Sequence, residues 1–223
     1  MARRNQIVSL AVMGGSFDPI HLGHLIIAEQ AAEALRADRV LFVPCNIPPH
    51  KDAAGLTPGS HRLKMIALAA RGNLKFRASN LELSRGGVSY TVDTIEQLRG
   101  MYGPRAKIWF VIGADSLREL ASWKNYRRIL SLCTIVTAGR PGSGLEMWRG
   151  EGGAFSREEV ARLRARILPT PLIGISSSEI RRRRREGLSI RYLVPAAVER
   201  YIVGHGMYRG SRRGTRVKCR ASR

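Results

Sequence analysis

Continuous apolar runs alternating with helical stretches predict an α/β fold. The expected architecture is a doubly wound parallel sheet in a single domain, with a short helical C-terminal region and a disordered basic tail. Three observations carry this. The strongest runs, Ile7–Met13 and Lys107–Ile112, are continuous rather than alternating, as in parallel strands buried on both faces. Turn signals and helical patterns follow the runs. Residues with chemistry to offer fall just after the strands, where such sheets bind ligands.

In chain order, strands are expected at Ile7–Met13, Arg39–Val43, Leu74–Ala78, Lys107–Ile112 and Thr134–Ala138. Helices are expected at Leu22–Arg36, Ser60–Arg71, Thr91–Tyr102, Ser116–Leu120 and Tyr126–Leu130, then across Arg157–Arg166. A short strand near Leu172–Gly174 precedes helices that start from Ser177 and from Pro195. Ser60 and Ser177 stand where a hydroxyl can cap the free N–H groups of a first turn, and Pro195 suits a turn that has no N–H to lose. Gly139 to Gly153 is glycine-rich and reads as a mobile loop. Residues 1–208 are expected to form the domain and 209–223 the tail.

A chain of 223 residues can bury one sizeable core. No apolar stretch is long enough to span a bilayer, so no membrane partner is expected. Met1-Ala2-Arg3-Arg4-Asn5 is basic, but the apolar run after it leads straight into a glycine turn. A signal peptide would remove that turn, so none is read. Cys45, Cys133 and Cys219 are scattered and form no C-x-x-C pair, which fits a reducing cytoplasm and argues against a disulfide framework or structural zinc.

The net charge of +21 calls for an anionic partner, either nucleic acid or a small polyanion. Arg181 to Arg185 is an unbroken arginine run, and from Arg182 onward it reads as a solvated face. Arg209 to Arg223 is rich in Arg and Lys, without an acidic residue or apolar period, and reads as disordered. Weak RNA association of that tail has an electrostatic basis. Base readout of single strands wants interleaved aromatic residues, and Tyr208 is the only one nearby, so no specific nucleic acid is expected.

The chemistry concentrates in Gly14-Gly15-Ser16-Phe17-Asp18-Pro19-Ile20-His21-Leu22-Gly23-His24. Strand, glycine turn and helix in succession present backbone N–H groups and a helix N-terminus to an anion. The glycine spacing is not that of a dinucleotide fingerprint, and no lysine makes it a P-loop. A zinc site would add further ligands to the two histidines, and Asp18 is the only candidate, so no metal ligand is assigned. What remains is a nucleoside triphosphate handled by imidazole.

This pattern resembles the signature of the nucleotidylyltransferase superfamily. Within it, the chain is similar to the bacterial nicotinate mononucleotide adenylyltransferases of NAD synthesis. Pro48-Pro49-His50-Lys51, Ser89-Tyr90-Thr91, Ile112-Gly113-Ala114-Asp115-Ser116-Leu117, Trp123, Arg140-Pro141 and Ile175-Ser176-Ser177-Ser178-Glu179-Ile180-Arg181 follow in the family's order, over residues 7–208. The resemblance implies a Rossmann-like sheet and a reaction between ATP, carrying Mg²⁺, and nicotinate mononucleotide. The mononucleotide phosphate attacks the α-phosphorus of ATP, and pyrophosphate leaves. The nucleophile is already anionic, so the site must position two polyanions and neutralise charge rather than supply a strong base.

The resemblance also implies roles. His21, His24 and Arg181 are the expected catalytic donors to phosphate oxygens, with phosphate proximity favouring doubly protonated imidazoles. Gly14, Gly15, Gly113, Asp115, Arg140, Ser177 and Ser178 are expected to bind ATP. Ser16, His50, Lys51, Thr91 and Trp123 are expected to bind the mononucleotide, with Trp123 stacked on the pyridine ring and Thr91 at its carboxylate. Phe17, Ile20 and Trp109 are assigned to the core, and Asp18 to organising the turn. Several alternatives stay open. Phosphopantetheine adenylyltransferases usually carry Thr where His21 stands. Cytidylyltransferases end in an R-T-x-G-I-S-type motif, where this chain has Ile173-Gly174-Ile175-Ser176. A nicotinamide mononucleotide preference, an RNA-binding protein on a degenerate nucleotide-binding fold, and a homo-oligomer are also compatible with the sequence.

Overall fold

The computed structural model describes residues 8–49, 55–139, 144–150 and 153–210. The first half of the sheet comprises β1 (Ser9–Gly15), α1 (Leu22–Ala34), β2 (Arg39–Pro44), α2 (Gly59–Ala69), β3 (Phe76–Ala78), α3 (Leu81–Arg85) and α4 (Thr91–Tyr102). The second half comprises β4 (Lys107–Gly113), α5 (Ala114–Glu119), α6 (Tyr126–Leu132), β5 (Thr134–Gly139), α7 (Arg157–Arg164), β6 (Ile167–Pro169), α8 (Ser177–Arg185) and α9 (Ala196–Gly204). The six strands are parallel in the order β3-β2-β1-β4-β5-β6, which is the doubly wound sheet expected.

Side chains alternate between two layers because a strand's period is two. Ala11, Met13, Val40, Phe42, Val111 and Val136 belong to one layer, covered by Ala28, Ala31 and Ala32 of α1, Met65 and Ile66 of α2, Ile180 of α8 and Ile202 of α9. Leu10, Val12, Leu41, Ile108, Phe110 and Ile135 belong to the other, covered by Ile95 and Leu98 of α4, Leu117 of α5, Ile129 of α6 and Leu163 of α7. Fully burying one such aliphatic side chain contributes about 1.5–3 kcal/mol. The alanines of α1 let it lie close to the sheet, which brings its N-terminus against the end of β1.

The winding reverses between β1 and β4, where Leu10 faces Ile108 and Val12 faces Phe110. Gly15, Gly113 and Gly139 end β1, β4 and β5 on the same edge of the sheet. That edge at the reversal is where such sheets open a crevice. Among the described residues, no helix is long and apolar enough to cross a membrane.

Several expected elements move. The sixth strand is Ile167–Pro169, not Leu172–Gly174. It pairs with β5 through Thr137–Gly139, whereas Leu172 is 76% exposed. An apolar triplet on a cleft wall cannot be told from a short strand by pattern alone. α2 begins one residue early, capped by Pro58 rather than Ser60, and β3 begins at Phe76 because Leu74 is exposed. The short helix α3 was not expected. In the glycine-rich segment, residues 144–150 are anchored rather than loose. Leu145 is fully buried there, and Trp148 packs edge-on against Phe155.

Candidate active site

The turn after β1 is held from three directions. Asp18 accepts through its carboxylate from the Thr57 N–H (3.2 Å) and the Tyr208 hydroxyl (2.5 Å). Its carbonyl accepts from Arg181 Nη1 (2.6 Å), and the Pro19 carbonyl accepts from the Ser177 hydroxyl (2.8 Å). The Ser16 carbonyl accepts from Arg62 Nη1 (2.8 Å). Phe17 sits at φ 48°, a left-handed conformation costly for a side chain with a Cβ. Its ring is buried and meets Phe42 and His24 edge-on, which holds the conformation. Asp18 is thus the turn organiser that the sequence implied, and Phe17 and Ile20 are core.

Glycine at 14 and 23 answers to packing. A Cβ on Gly14 would stand 3.2 Å from the Phe110 ring, and one on Gly23 would stand 3.1 Å from His21 and 3.2 Å from Ile173. Gly14 itself is exposed, which leaves its backbone open to a ligand.

His21 and His24 flank the start of α1 with their rings stacked at 3.7 Å. The His21 main-chain N–H donates to His24 Nδ1 (3.2 Å). Nδ1 therefore carries the lone pair, and the ring's proton sits on Nε2. Burial lowers His21 to about 4, and burial together with the neighbouring His21 lowers His24 to about 3. Burial thus favours the neutral rings in the free protein, whereas the expectation of doubly protonated imidazoles concerns rings beside bound phosphate. His21 Nδ1 is buried without a hydrogen-bond partner.

The pair forms the wall between two clefts that share His21, His24 and Ile175. The first encloses about 450 Å³ and is lined by Gly23, Gly113, Asp115, Arg118, Ala138 and the segment 170–173. Asp115 lies there with its carboxylate 3.3 Å from Arg118. The second encloses about 420 Å³ between Ser16 and Asp18 on one side, Pro48, Gly55 and Leu56 on another, and Ser176–Ser178 with Arg181 on a third. Ser176, not Ser177, caps α8, its hydroxyl accepting from the Glu179 N–H (3.2 Å). The hydroxyl of Ser177 is committed to Pro19, so Ser177 and Ser178 offer the cleft the N–H groups of a first helical turn, which have no partners within the helix.

Thr91 and Trp123 line neither cleft. Thr91 opens α4, and half-buried Trp123 meets Phe110 edge-on at 6.2 Å. Lys124 joins the two regions, lying 4.3 Å over the Tyr90 ring and 3.6 Å from Asp93. His50, Lys51 and Arg140 lie outside the described residues. Trp109 is half-buried, its indole N–H donating to the Ser9 hydroxyl (3.1 Å).

The arginine run is not the uniformly solvated face that the sequence suggests. Arg182 pairs with Glu179 and Glu186 at 2.6 Å each, and Arg183 donates to the Ser189 carbonyl. Nε and Nη2 of Arg184 are buried without a hydrogen-bond partner. Sequence reasoning missed Arg62 and gave Tyr208 only to the rim of the tail. A signal existed for Arg62: it stands in an apolar stripe with Met65, Ile66 and Ala69, at helical spacing. Tyr208, 190 residues from Asp18, gave none.

Comparison with known proteins agrees with this geometry. Residues 12–183 match the family described as cytidylyltransferase-like. A Thermomicrobium roseum protein named "probable nicotinate-nucleotide adenylyltransferase" is 46% identical over 200 residues, covering 90% of this chain and 91% of its own. A Thermus thermophilus protein of the same name is also 46% identical, covering 90% of this chain and 99% of its own. The Plasmodium falciparum nicotinic acid mononucleotide adenylyltransferase complexed with NaAD superposes with a TM-score of 0.68 at 19% identity, covering 90% of this chain and 97% of that one, which shows a shared fold. The glycine–histidine turn, the α8 terminus and these relatives agree: the chain belongs to the cytidylyltransferase-like superfamily and, within it, to the nicotinate-nucleotide adenylyltransferase family.

Proposed function

We propose that this chain transfers the adenylyl group of ATP to nicotinate mononucleotide, giving nicotinate adenine dinucleotide and pyrophosphate. The observation that carries the reading is the stacked His21–His24 pair, standing between a cleft lined by Gly113 and Asp115 and a cleft lined by Ser16, Ser177, Ser178 and Arg181. In this reading Gly113 and Asp115 meet the ATP ribose, with Arg140 near the adenine or its phosphates. The triphosphate passes the imidazoles, and its β and γ groups meet Arg181 and the N–H groups of Ser177 and Ser178. His24 Nε2–H donates to the α-phosphate, where negative charge builds as the mononucleotide phosphate attacks in line. Ser16, His50 and Lys51 hold that phosphate, and Thr91 and Trp123 hold the pyridine carboxylate and ring.

Among the described residues, no three His, Cys, Asp or Glu gather as a metal cage. Mg²⁺ would come to the site with the ATP triphosphate, beside Arg181 and the N–H groups of Ser177 and Ser178, and would supply positive charge to the departing pyrophosphate. Residues 1–208 act as the catalytic domain, with 209–223 as a basic tail outside the reaction. Weak RNA association of the tail rests on charge alone. A cytoplasmic place suits the buried thiol of Cys133.

The test follows pyrophosphate release from ATP and Mg²⁺ with nicotinate and nicotinamide mononucleotides offered separately. Release with the nicotinate substrate in preference supports the reading; release with neither removes it.

A further inference from the structure

Behind the second cleft lies a buried polar layer that the mechanism leaves unused. Arg62 is 1% exposed, yet none of the ion pairs among the described residues includes it. A guanidinium taken this far from water is costly unless its charge or its geometry is used. Its Nε donates to the Thr57 carbonyl (2.7 Å) and its Nη1 to the Ser16 carbonyl (2.8 Å). Ser16 stands on one wall of the cleft, and Gly55 and Leu56, just before Thr57, stand on another. One planar fork thus spans the two loops that bound the opening.

The layer continues toward the ring end. A Cβ on Gly59 would stand 2.5 Å from Leu83, so α2 and α3 close tightly on each other at this point. Arg62 follows one turn along α2, and Glu82 neighbours Leu83 on α3. The Glu82 carboxylate is 6% exposed and accepts from the Thr94 hydroxyl (2.6 Å), in the first turns of α4. Arg85 donates to the same hydroxyl (3.0 Å). The Ser89 hydroxyl accepts from the Asn46 N–H (2.8 Å), tying the approach to α4 to the loop after β2. Burial raises the Glu82 carboxyl, and Thr94, Ser89, Arg85 and Arg62 oppose the rise.

We propose that Arg62 and Glu82 are positioning residues for the mononucleotide. Arg62 sets the opening between Ser16 and the 55–57 loop that receives its phosphate. Glu82 fixes the start of α4, and so Thr91, that receives its ring carboxylate. Together they set the phosphate-to-ring span that the second substrate must match, on the walls of the second cleft that do not carry Ser177, Ser178 and Arg181. This rests on the reading given under Proposed function.

The experiment compares the wild type with Arg62→Lys, Glu82→Gln, Ser16→Ala and the Arg62→Lys/Ser16→Ala double variant. KM is measured separately for ATP and nicotinate mononucleotide, alongside thermal melting and calorimetric binding of the mononucleotide. Each of the two positioning variants is expected to raise the mononucleotide KM about tenfold or more and weaken its binding in step. The ATP KM is expected to stay within about twofold, and so is kcat. The double variant is expected to cost less than the product of the single changes, because Arg62 acts in part through Ser16. A parallel rise in the ATP KM, or effects of Arg62 and Ser16 that multiply, overturns the proposal. If Arg62→Lys does not fold, the isosteric Glu82→Gln decides by the same KM comparison. A wild type active with a different mononucleotide overturns only the substrate reading, and the same ratios are then read with that substrate.

Discussion

The proposed phosphate half of the site and the proposed ring half differ in how the chain assembles them. Around His21 and His24 most donors come from eleven consecutive residues and from the first turn of α8, and many of them are backbone N–H groups. Around Trp123 the parts come from the ends of α4, of β4 and of the turn before α6, and each is a single side chain. Charge neutralisation needs only donors and a helix end, which any side chains can carry. Recognition of a ring needs particular side chains at a particular spacing. The first half should therefore govern whether chemistry occurs, and the second which substrate undergoes it.

The largest effect expected is from His24→Ala, which removes the N–H donor proposed to meet the α-phosphate. Turnover at saturation is expected to fall by about a thousandfold with either mononucleotide. Wild-type turnover in this variant would break the division, since the imidazole wall would then be structural. Next comes Trp123→Ala, which removes a stacking face. The KM for nicotinate mononucleotide is expected to rise by about tenfold or more, from the usual strength of one base–aromatic stack. An equal rise in the ATP KM would show that the two halves are not separable.

A smaller effect separates the halves by pH. His21 and His24 titrate near 4 and 3 when folded, below the ordinary 6.5. Between those values the unfolded chain binds more protons, so stability is full above about 6.5 and falls as the pH drops toward 3. Melting curves of the wild type and a His21→Gln/His24→Gln variant should diverge in slope across that window, the wild type losing more. Equal slopes would mean that the rings are not held neutral. The smallest effect expected is from deleting residues 209–223, which should leave turnover within about twofold because Tyr208, tied to Asp18 in the turn after β1, is retained. Loss of function on that deletion would instead favour the reading of an RNA-binding protein.

The same contrast explains what could be read in advance. The glycine–histidine turn and the serine-led start of α8 were legible because both are local: a strand, a turn and a helix start specify their own backbone geometry. The parallel sheet was legible from continuous apolar runs. Leu172–Gly174 misled because a short apolar segment lining an open cleft and a short strand leave the same pattern in the sequence. Arg62 escaped because a charged residue on an apolar stripe reads as a flaw in the pattern until its two carbonyl partners are seen.

By itself, then, the sequence determined the α/β class, the order of the strands' glycine turns and the polyphosphate character of the site, all of which follow from residues close together in the chain. Only the tertiary structure decided that the Ser177 hydroxyl goes to the Pro19 carbonyl, leaving Ser176 to cap α8. It alone showed that burial favours neutral imidazoles and that Arg62 and Tyr208 hold the turn after β1. Those outcomes depend on desolvation and on hydrogen bonds between distant residues, 190 positions apart for Tyr208 and Asp18. No local pattern encodes the water excluded, or the partner supplied, by a distant segment.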